Sequence, residues 1–213
     1  MTTHYDDEEQ AERLKQWWKE NWISLAAGLV IGLGAIFGWE GWKSYQGTRA
    51  AEASRMYEDL RLALGEARGQ DAEKIGSALI QDHGSSPYAS GAALYLATDA
   101  VKRGELDQAL THLQWVREHG SDDGVREVAA LRAARVLWQQ GKPDEALALI
   151  AGDGGEFQAM AQELRGDILL SKGDRSAARE AYQKALGASD DEDVAARGDL
   201  QRKLDDLNDV VES

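Results

Sequence analysis

The residues of this chain that could support chemistry are its histidines, carboxylates and serines, because the 213-residue sequence contains no cysteine. His4, His83, His112 and His119 lack the spacing of metal ligands, although the last two, seven residues apart, could lie on one helix face. We expect all four at the surface. No serine has a recognisable base near it in the sequence, and no glycine-rich loop follows a strand. We therefore predict a noncatalytic protein that binds no cofactor.

An acidic run, Asp190, Asp191, Glu192 and Asp193, is the remaining candidate for metal chemistry. It directly precedes a stretch with a helical pattern, where carboxylates stabilise the positive end of the helix dipole. This placement favours a helix-capping role, so we predict no metal site.

The charge balance excludes one class of partner. The formal net charge is −14, and removing residues 1–42 still leaves 21 basic against 31 acidic residues. Such a surface repels phosphate backbones, and the sequence shows no basic patch with interleaved aromatic residues. We predict no nucleic-acid partner.

An internal repeat indicates that the chain works by binding. In three segments a glycine is followed five residues later by alanine and nine residues later by a large apolar residue, and the glycines are spaced by 37 and 32 residues. These spacings bracket the 34-residue period of tetratricopeptide helix pairs. The three sets are Gly104, Ala109 and Leu113; Gly141, Ala146 and Ile150; and Gly173, Ala178 and Tyr182.

Helix start and stop residues surround these repeats. Ser86 and Pro87 have the types expected of an N-cap and a first helical residue. We expect left-handed helix ends at Gly104, Gly120, Gly141, Gly173 and Gly187. A helical stripe before the repeats comprises Ala50, Ala53, Tyr57, Leu60 and Leu64, and a capping helix after them would bury Val194, Leu200, Leu204, Leu207 and Val211. The predicted fold class is all-α.

Stacked helix pairs leave a concave face lined by the first helix of each pair. Counting back three, six and ten residues from the repeat glycines predicts its lining: Leu94, Thr98 and Val101; Leu131, Arg135 and Trp138; Glu163, Asp167 and Leu170. From these we select Leu94, Val101, Leu131, Arg135, Trp138 and Leu170 as candidate partner-binding residues. We hypothesise an apolar strip of Leu94, Leu131, Trp138 and Leu170, although Trp138 would also suit the core between repeats.

The element that must position this domain is the stretch from Trp22 to Trp39, which contains no charge. As a helix its 18 residues span about 27 Å, against a hydrocarbon core of roughly 30 Å. Tryptophans cluster at both ends, as at membrane interfaces and unlike a core helix. No small-residue cleavage site follows, which disfavours a signal peptide. We predict a polar tail at 1–21, a transmembrane helix at 22–39 and a repeat domain at 40–213.

Glycines inside the predicted span offer a docking surface to another helix. Gly28 and Gly32 are four residues apart, as are Gly34 and Gly38. Small residues at this spacing let helices approach closely in a bilayer, although transmembrane helices are rich in glycine in general. The orientation of the span is open, because three basic residues lie near it on each side.

Several stretches of the sequence carry a resemblance to a known family. They are Trp17-Trp18-Lys19-Glu20-Asn21-Trp22, Pro87-Tyr88-Ala89, Leu131-Arg132-Ala133-Ala134-Arg135-Val136-Leu137, Glu163-Leu164-Arg165-Gly166-Asp167-Ile168-Leu169, Gly173-Asp174 and Ala181-Tyr182-Gln183-Lys184-Ala185-Leu186. These stretches resemble the family of ancillary SecYEG translocon subunits, the YfgM family, and the resemblance extends over nearly the whole chain.

The resemblance implies a bacterial inner-membrane protein with a cytoplasmic N-terminus and a periplasmic repeat domain. It also implies association with the SecYEG translocon and with a membrane-anchored periplasmic prolyl-isomerase-like chaperone. The expected function is to link exported, unfolded proteins to periplasmic chaperones. The alternative is a membrane-anchored scaffold or signalling regulator whose repeats face the cytoplasm.

Overall fold

The computed structural model describes residues 3–152 and 155–209, and their regular elements are all helical. This confirms the predicted fold class. The helices are α1 (Thr3–Gly65), α2 (Gly69–Asp82), α3 (Pro87–Arg103), α4 (Leu106–His119), α5 (Asp123–Gln139), α6 (Pro143–Leu149), a 3-10 turn (Gly155–Phe157), α7 (Gln158–Ser171), α8 (Arg175–Ala188) and α9 (Val194–Asp209).

The chain divides into two compact units, residues 1–51 and 52–213. The first unit is helical from Thr3 onward, so the residues of the predicted polar tail from Thr3 continue directly into the apolar segment as one helix. One helix of the described chain is long and apolar enough to cross a membrane. Its most apolar 18-residue window has a mean hydropathy of 1.8 and no buried residue, which argues against a soluble core helix.

The second unit begins with a hairpin that the repeat pattern did not include. The last turns of α1 and the helix α2 pack together through Ala53, Leu60 and Leu79, all fully buried. Two residues of the predicted stripe, Ala53 and Leu60, therefore lie in a core. Ala50 is exposed, because it lies in the first unit, before this packing begins.

The three predicted hairpins are present as α3–α4, α5–α6 and α7–α8. Their repeat alanines, Ala109, Ala146 and Ala178, are all 0% exposed. A methyl side chain at this position lets the two helices of a hairpin approach closely, because a larger side chain would have no room. The five-residue spacing from glycine to alanine is thus a packing rule of this fold.

Side-chain caps begin these helices. The Ser86 hydroxyl accepts a hydrogen bond from the Ala89 N–H at the start of α3, and Pro87 is the first helical residue, as predicted. Asp174 caps α8 by accepting from the Ala177 N–H at 3.0 Å. That backbone hydrogen bond lowers the pKa of Asp174.

Three of the five predicted glycine stops are correct. Gly104, Gly141 and Gly173 have φ of 78°, 77° and 86°, the left-handed conformation expected after a helix. Gly120 ends α4 with φ −53° and ψ 142°, because the chain leaves the helix in an extended conformation. Gly187 lies inside α8, which continues to Ala188.

The last helix, α9, covers the end of the repeat array as predicted. Leu200, Leu204 and Leu207 are buried against α8 at 2%, 8% and 2% exposure. Val194 is 76% exposed, because it is the first residue of the helix and lies before the covered stretch. Val211 lies outside the described residues.

Candidate partner-binding groove

An open cavity of about 340 Å³ lies between α3 and α5, the first helices of two successive hairpins. We call it the basic cavity. Its floor is apolar and its rim is cationic, and none of its lining residues in the described structure is acidic. The floor contains Val101, Leu113 and Val136, and the rim contains Lys102, Arg132 and Arg135.

The three rim cations are exposed and uncompensated. Within residues 3–152 and 155–209, none of them makes an ion pair or a side-chain hydrogen bond. In contrast, the neighbouring Arg103 is paired with Asp99 and with Glu105. The rim is therefore a local concentration of positive charge on a chain with net charge −14.

A second cavity of about 330 Å³ adjoins the first and shares Thr98 and Lys102 with it. Tyr95 and Arg61 line its far side. Tyr95 also contacts Tyr57, with ring centroids 5.7 Å apart. Burial and a hydrogen bond with Tyr95 raise the pKa of Tyr57 to about 12. Together the two cavities form a groove across α3, lined on both sides by first helices of hairpins.

Two of the six predicted partner-binding residues line this groove, Val101 and Arg135. Thr98, also predicted to face inward, lines both cavities. Leu94 is half-buried against the core between α3, α4 and α5, so only part of it is accessible. Of the predicted stripe on α3, Thr98 and Val101 therefore line the groove.

The hypothesised apolar strip is not continuous at the surface. Leu131 is 6% exposed and packs in the core with Leu164 of α7. Trp138 is half-buried against the same core, and its indole Nε1 donates to Ser171 Oγ at 3.0 Å. Leu170 is 36% exposed. Leu131 and Trp138 point toward α7 while Arg135 points toward α3, because the α5 stripe lies at the boundary between two hairpins.

Glu163 and Asp167, predicted to face inward, are already engaged. Lys203 Nζ of α9 lies 2.7 Å from Glu163 Oε1 and 2.6 Å from Asp167 Oδ1. The Tyr182 hydroxyl donates to the same Asp167 oxygen at 2.8 Å. Burial opposes the charge of Lys203, but its hydrogen bonds to Asp167 and Glu163 outweigh it and raise its pKa. These carboxylates thus hold the capping helix in place.

Sequence reasoning missed Lys102 and Arg132, which make up two thirds of the rim charge. Counting from a repeat glycine selects one stripe of each helix, whereas a cavity between two helices uses the facing flank of each. On α5 that flank is Arg132, Arg135, Val136 and Gln139, whose offsets of three, four and seven are the sequence pattern of one helix face. A search for basic residues at these offsets would have found it.

Two histidines lie in less exposed positions than predicted. His83 is 7% exposed, with Nε2 3.7 Å from Glu52 Oε2, and His112 Nε2 is 3.5 Å from Glu73 Oε1. Burial lowers the pKa of His112, an effect that Glu73 partly offsets. Hairpin packing covers these rings, which spacing along the sequence does not show. No cluster of three or more metal-ligating side chains occurs among the described residues.

The glycines of the predicted span face no other group in the described chain. A Cβ atom added at Gly28, Gly32, Gly34 or Gly38 would have no neighbour within 4 Å. The helix is continuous here, so at about 100° per residue the first pair is centred roughly 120° from the second. They form two separate small-residue faces, and one partner helix cannot cover both.

The sequence is similar throughout to proteins of one family. Residues 15–209 match the family model described as a tetratricopeptide repeat-like domain. A protein of Escherichia coli (strain K12) named ancillary SecYEG translocon subunit is 33% identical over 98% of this chain and 100% of its own length. This chain belongs to the ancillary SecYEG translocon subunit family.

The resemblance predicted from the sequence is thereby confirmed. A second member of the ancillary SecYEG translocon subunit family, from Haemophilus influenzae, is 30% identical over 87% of this chain and 91% of its own length. Among solved structures, a tetratricopeptide repeat protein from Parabacteroides merdae is similar with a TM-score of 0.58, covering 75% of this chain and 61% of that one. At 14% sequence identity, this similarity shows the fold alone.

Proposed function

We propose that this chain is a noncatalytic ancillary subunit associated with the SecYEG translocon in the bacterial inner membrane. The observation that carries the proposal is the full-length similarity to a protein named for that role, 33% identical over 98% of this chain. The similarity includes the apolar segment as well as the repeats, so both parts of the proposed adaptor are shared.

We further propose that residues 22–39 are the transmembrane segment, that residues 1–21 are cytoplasmic and that the domain at 40–213 is periplasmic. In this arrangement the groove across α3 receives segments of exported, unfolded proteins or of periplasmic chaperones. A membrane-anchored prolyl-isomerase-like chaperone is the expected chaperone partner. The unburied apolar window supports the span, since a lipid environment removes such exposed apolar surface from water.

Crosslinking from the span tests the association with the translocon. Because the chain contains no cysteine, single cysteines introduced at Gly32 and at Gly34 report separately on the two small-residue faces. A control cysteine at Leu33 lies on a third side, about 120° from the centre of each glycine pair. We expect crosslinks to a SecY, SecE or SecG chain from one glycine face in native membranes, and none from position 33.

Two outcomes of this experiment would count against the proposal. Capture of lipid alone from both glycine faces would remove the proposed contact between the span and the translocon. Equal capture from position 33 would show that the glycine faces do not select the partner.

A further inference from the structure

We propose that the basic cavity binds an extended polypeptide segment in which side-chain carboxylates flank a large aliphatic side chain. The proposal rests on the proposed function in that the ligand is a polypeptide presented to the repeat domain. It adds the chemistry of the segment and the residues that recognise it.

The apolar floor selects the aliphatic side chain. Leu113 and Val136 are 1% and 5% exposed, and Val101 is half-buried above them. The volume of about 340 Å³ is at the small end of ligand-binding cavities. It suits one or two side chains rather than the surface of a folded domain. Burial of such a side chain supplies binding energy in proportion to the apolar area that leaves water.

The rim selects the flanking carboxylates. Lys102 lies on α3, whereas Arg132 and Arg135 lie on α5, so cations border the cavity on both sides. All three are uncompensated in the described structure, so an acidic ligand gains attraction without displacing an existing partner. With three cations, a segment bearing more than one carboxylate is a better match than a single terminal carboxylate. Arginine is suited to bidentate contact with such groups.

Other anionic ligands fit less well. A nucleic-acid backbone would need an extended basic surface, whereas this cavity presents three cations around an apolar floor. A lipid phosphate would find cations at the rim, but a cavity of about 340 Å³ is too small for the two long acyl chains of a phospholipid. The combination of apolar floor and cationic rim thus favours an acidic, aliphatic peptide.

Peptide titration against the full chain in detergent micelles tests the proposal. The probe is a fluorescein-labelled, C-terminally amidated peptide of alternating aspartate and leucine, followed by fluorescence anisotropy. Two matched peptides replace its aspartates by lysine or its leucines by serine. We expect binding of the first peptide alone, and at least tenfold weaker binding to the double variant Arg132→Gln and Arg135→Gln.

A matched substitution and a fold check make the result interpretable. Arg117 lies on α4 outside the cavity and has no ion pair in the described structure, so Arg117→Gln should bind as the parent does. Circular dichroism should show unchanged helicity in all variants, because Arg132 and Arg135 are exposed. If Arg117→Gln weakened peptide binding as much as the double variant does, general surface charge would explain the result and the proposal would be overturned.

The remaining outcomes separate this inference from the proposed function. Failure of the parent chain to bind the aspartate–leucine peptide, with span crosslinks to SecYEG intact, would overturn the inference alone. Short-chain phosphatidylglycerol that binds in place of the peptide, and is lost in the double variant, would assign the cavity to lipid instead. Peptide binding without any SecYEG crosslink would sustain the inference for a polypeptide-binding repeat domain and remove the proposed contact between the span and the translocon.

Discussion

Replacing Gly166 by alanine is expected to lower the free energy of unfolding of the repeat domain by about 1–3 kcal/mol. Gly166 is buried in α7, directly beneath the ring of Tyr182 in α8. A Cβ atom at this position would lie 2.4 Å from Tyr182 Cε1 and 2.5 Å from Cδ1, well inside van der Waals contact. The two helices would have to move apart to admit one methyl group.

The ring cannot move aside to relieve this contact. Tyr182 is 1% exposed, and its hydroxyl donates to Asp167 at 2.8 Å. Rotating the ring would break that hydrogen bond and disturb a close-packed core. Urea unfolding of the full chain in detergent, followed by far-ultraviolet circular dichroism, measures the loss.

The matched control is Gly198→Ala in α9. A Cβ atom there would have no neighbour within 4 Å, so alanine should stabilise the helix by about 0.5–1 kcal/mol through its higher helix propensity. The two glycine-to-alanine changes are thus expected to have opposite signs. If Gly166→Ala were neutral or stabilising, the described packing of α7 on α8 would be wrong.

Replacing Lys203 by methionine is expected to lower the free energy of unfolding by about 1–2 kcal/mol, with the effect concentrated in α9. The ammonium group is the cation between Glu163 and Asp167, and its removal leaves two carboxylates close together without compensation. The side chain is 32% exposed, so solvent reduces the cost below that of a fully buried pair. Methionine keeps the length of the side chain, which isolates the loss of charge.

The pKa of Lys203 sets the pH range of this contribution. Because its folded-state pKa is raised, the stabilisation is fully present below the unfolded-state pKa and is lost as pH rises through the folded value. The difference in stability between the parent and the Lys203→Met variant should therefore be undiminished at neutral pH. Hydrogen exchange of the α9 amides measures it locally.

Lys184→Met is the control for this substitution. Lys184 is exposed on α8 and has no ion pair in the described residues, so its replacement should change the unfolding free energy by less than about 0.5 kcal/mol. If the α9 amides were equally protected from hydrogen exchange in Lys203→Met and Lys184→Met, the role assigned to Lys203 would be contradicted.

The features that the sequence predicted well are those fixed by neighbours a few residues away. The spacing from glycine to alanine identified Ala109, Ala146 and Ala178 because hairpin packing repeats at a constant local offset. Ser86 and Pro87 were identifiable because capping involves only the next three residues. The apolar stretch at 22–39 was evident because its length and composition alone meet the requirement for spanning a bilayer.

The features that it missed depend on contacts between distant residues. Lys203 meets Glu163 across 40 positions, so nothing near either residue indicates the pair. Gly120 has the residue type of a left-handed stop but is extended, and the Arg126 guanidinium donates to its carbonyl at 2.6 Å. A Cβ atom at Gly120 would also lie 2.6 Å from the Val116 carbonyl oxygen, which explains a glycine there without a left-handed turn.

The candidate site was predicted in part for the same reason. Val101 and Arg135 were found because they lie on the inward stripe of their helices. Leu131 has the same offset as Leu94, yet it is covered by α7, since the tilt of the next hairpin is not encoded in that offset. Lys102 and Arg132 lie on the flanks, where only the assembled pair of helices shows that they face a common space.

Protease accessibility in intact spheroplasts tests most directly the claim that a membrane segment holds the repeat domain on the periplasmic side. Protease added outside should degrade the domain at 40–213 while the inner membrane is still sealed, and a cytoplasmic marker protein should survive. Protection of the domain until the membrane is lysed would contradict the account and favour a scaffold whose repeats face the cytoplasm.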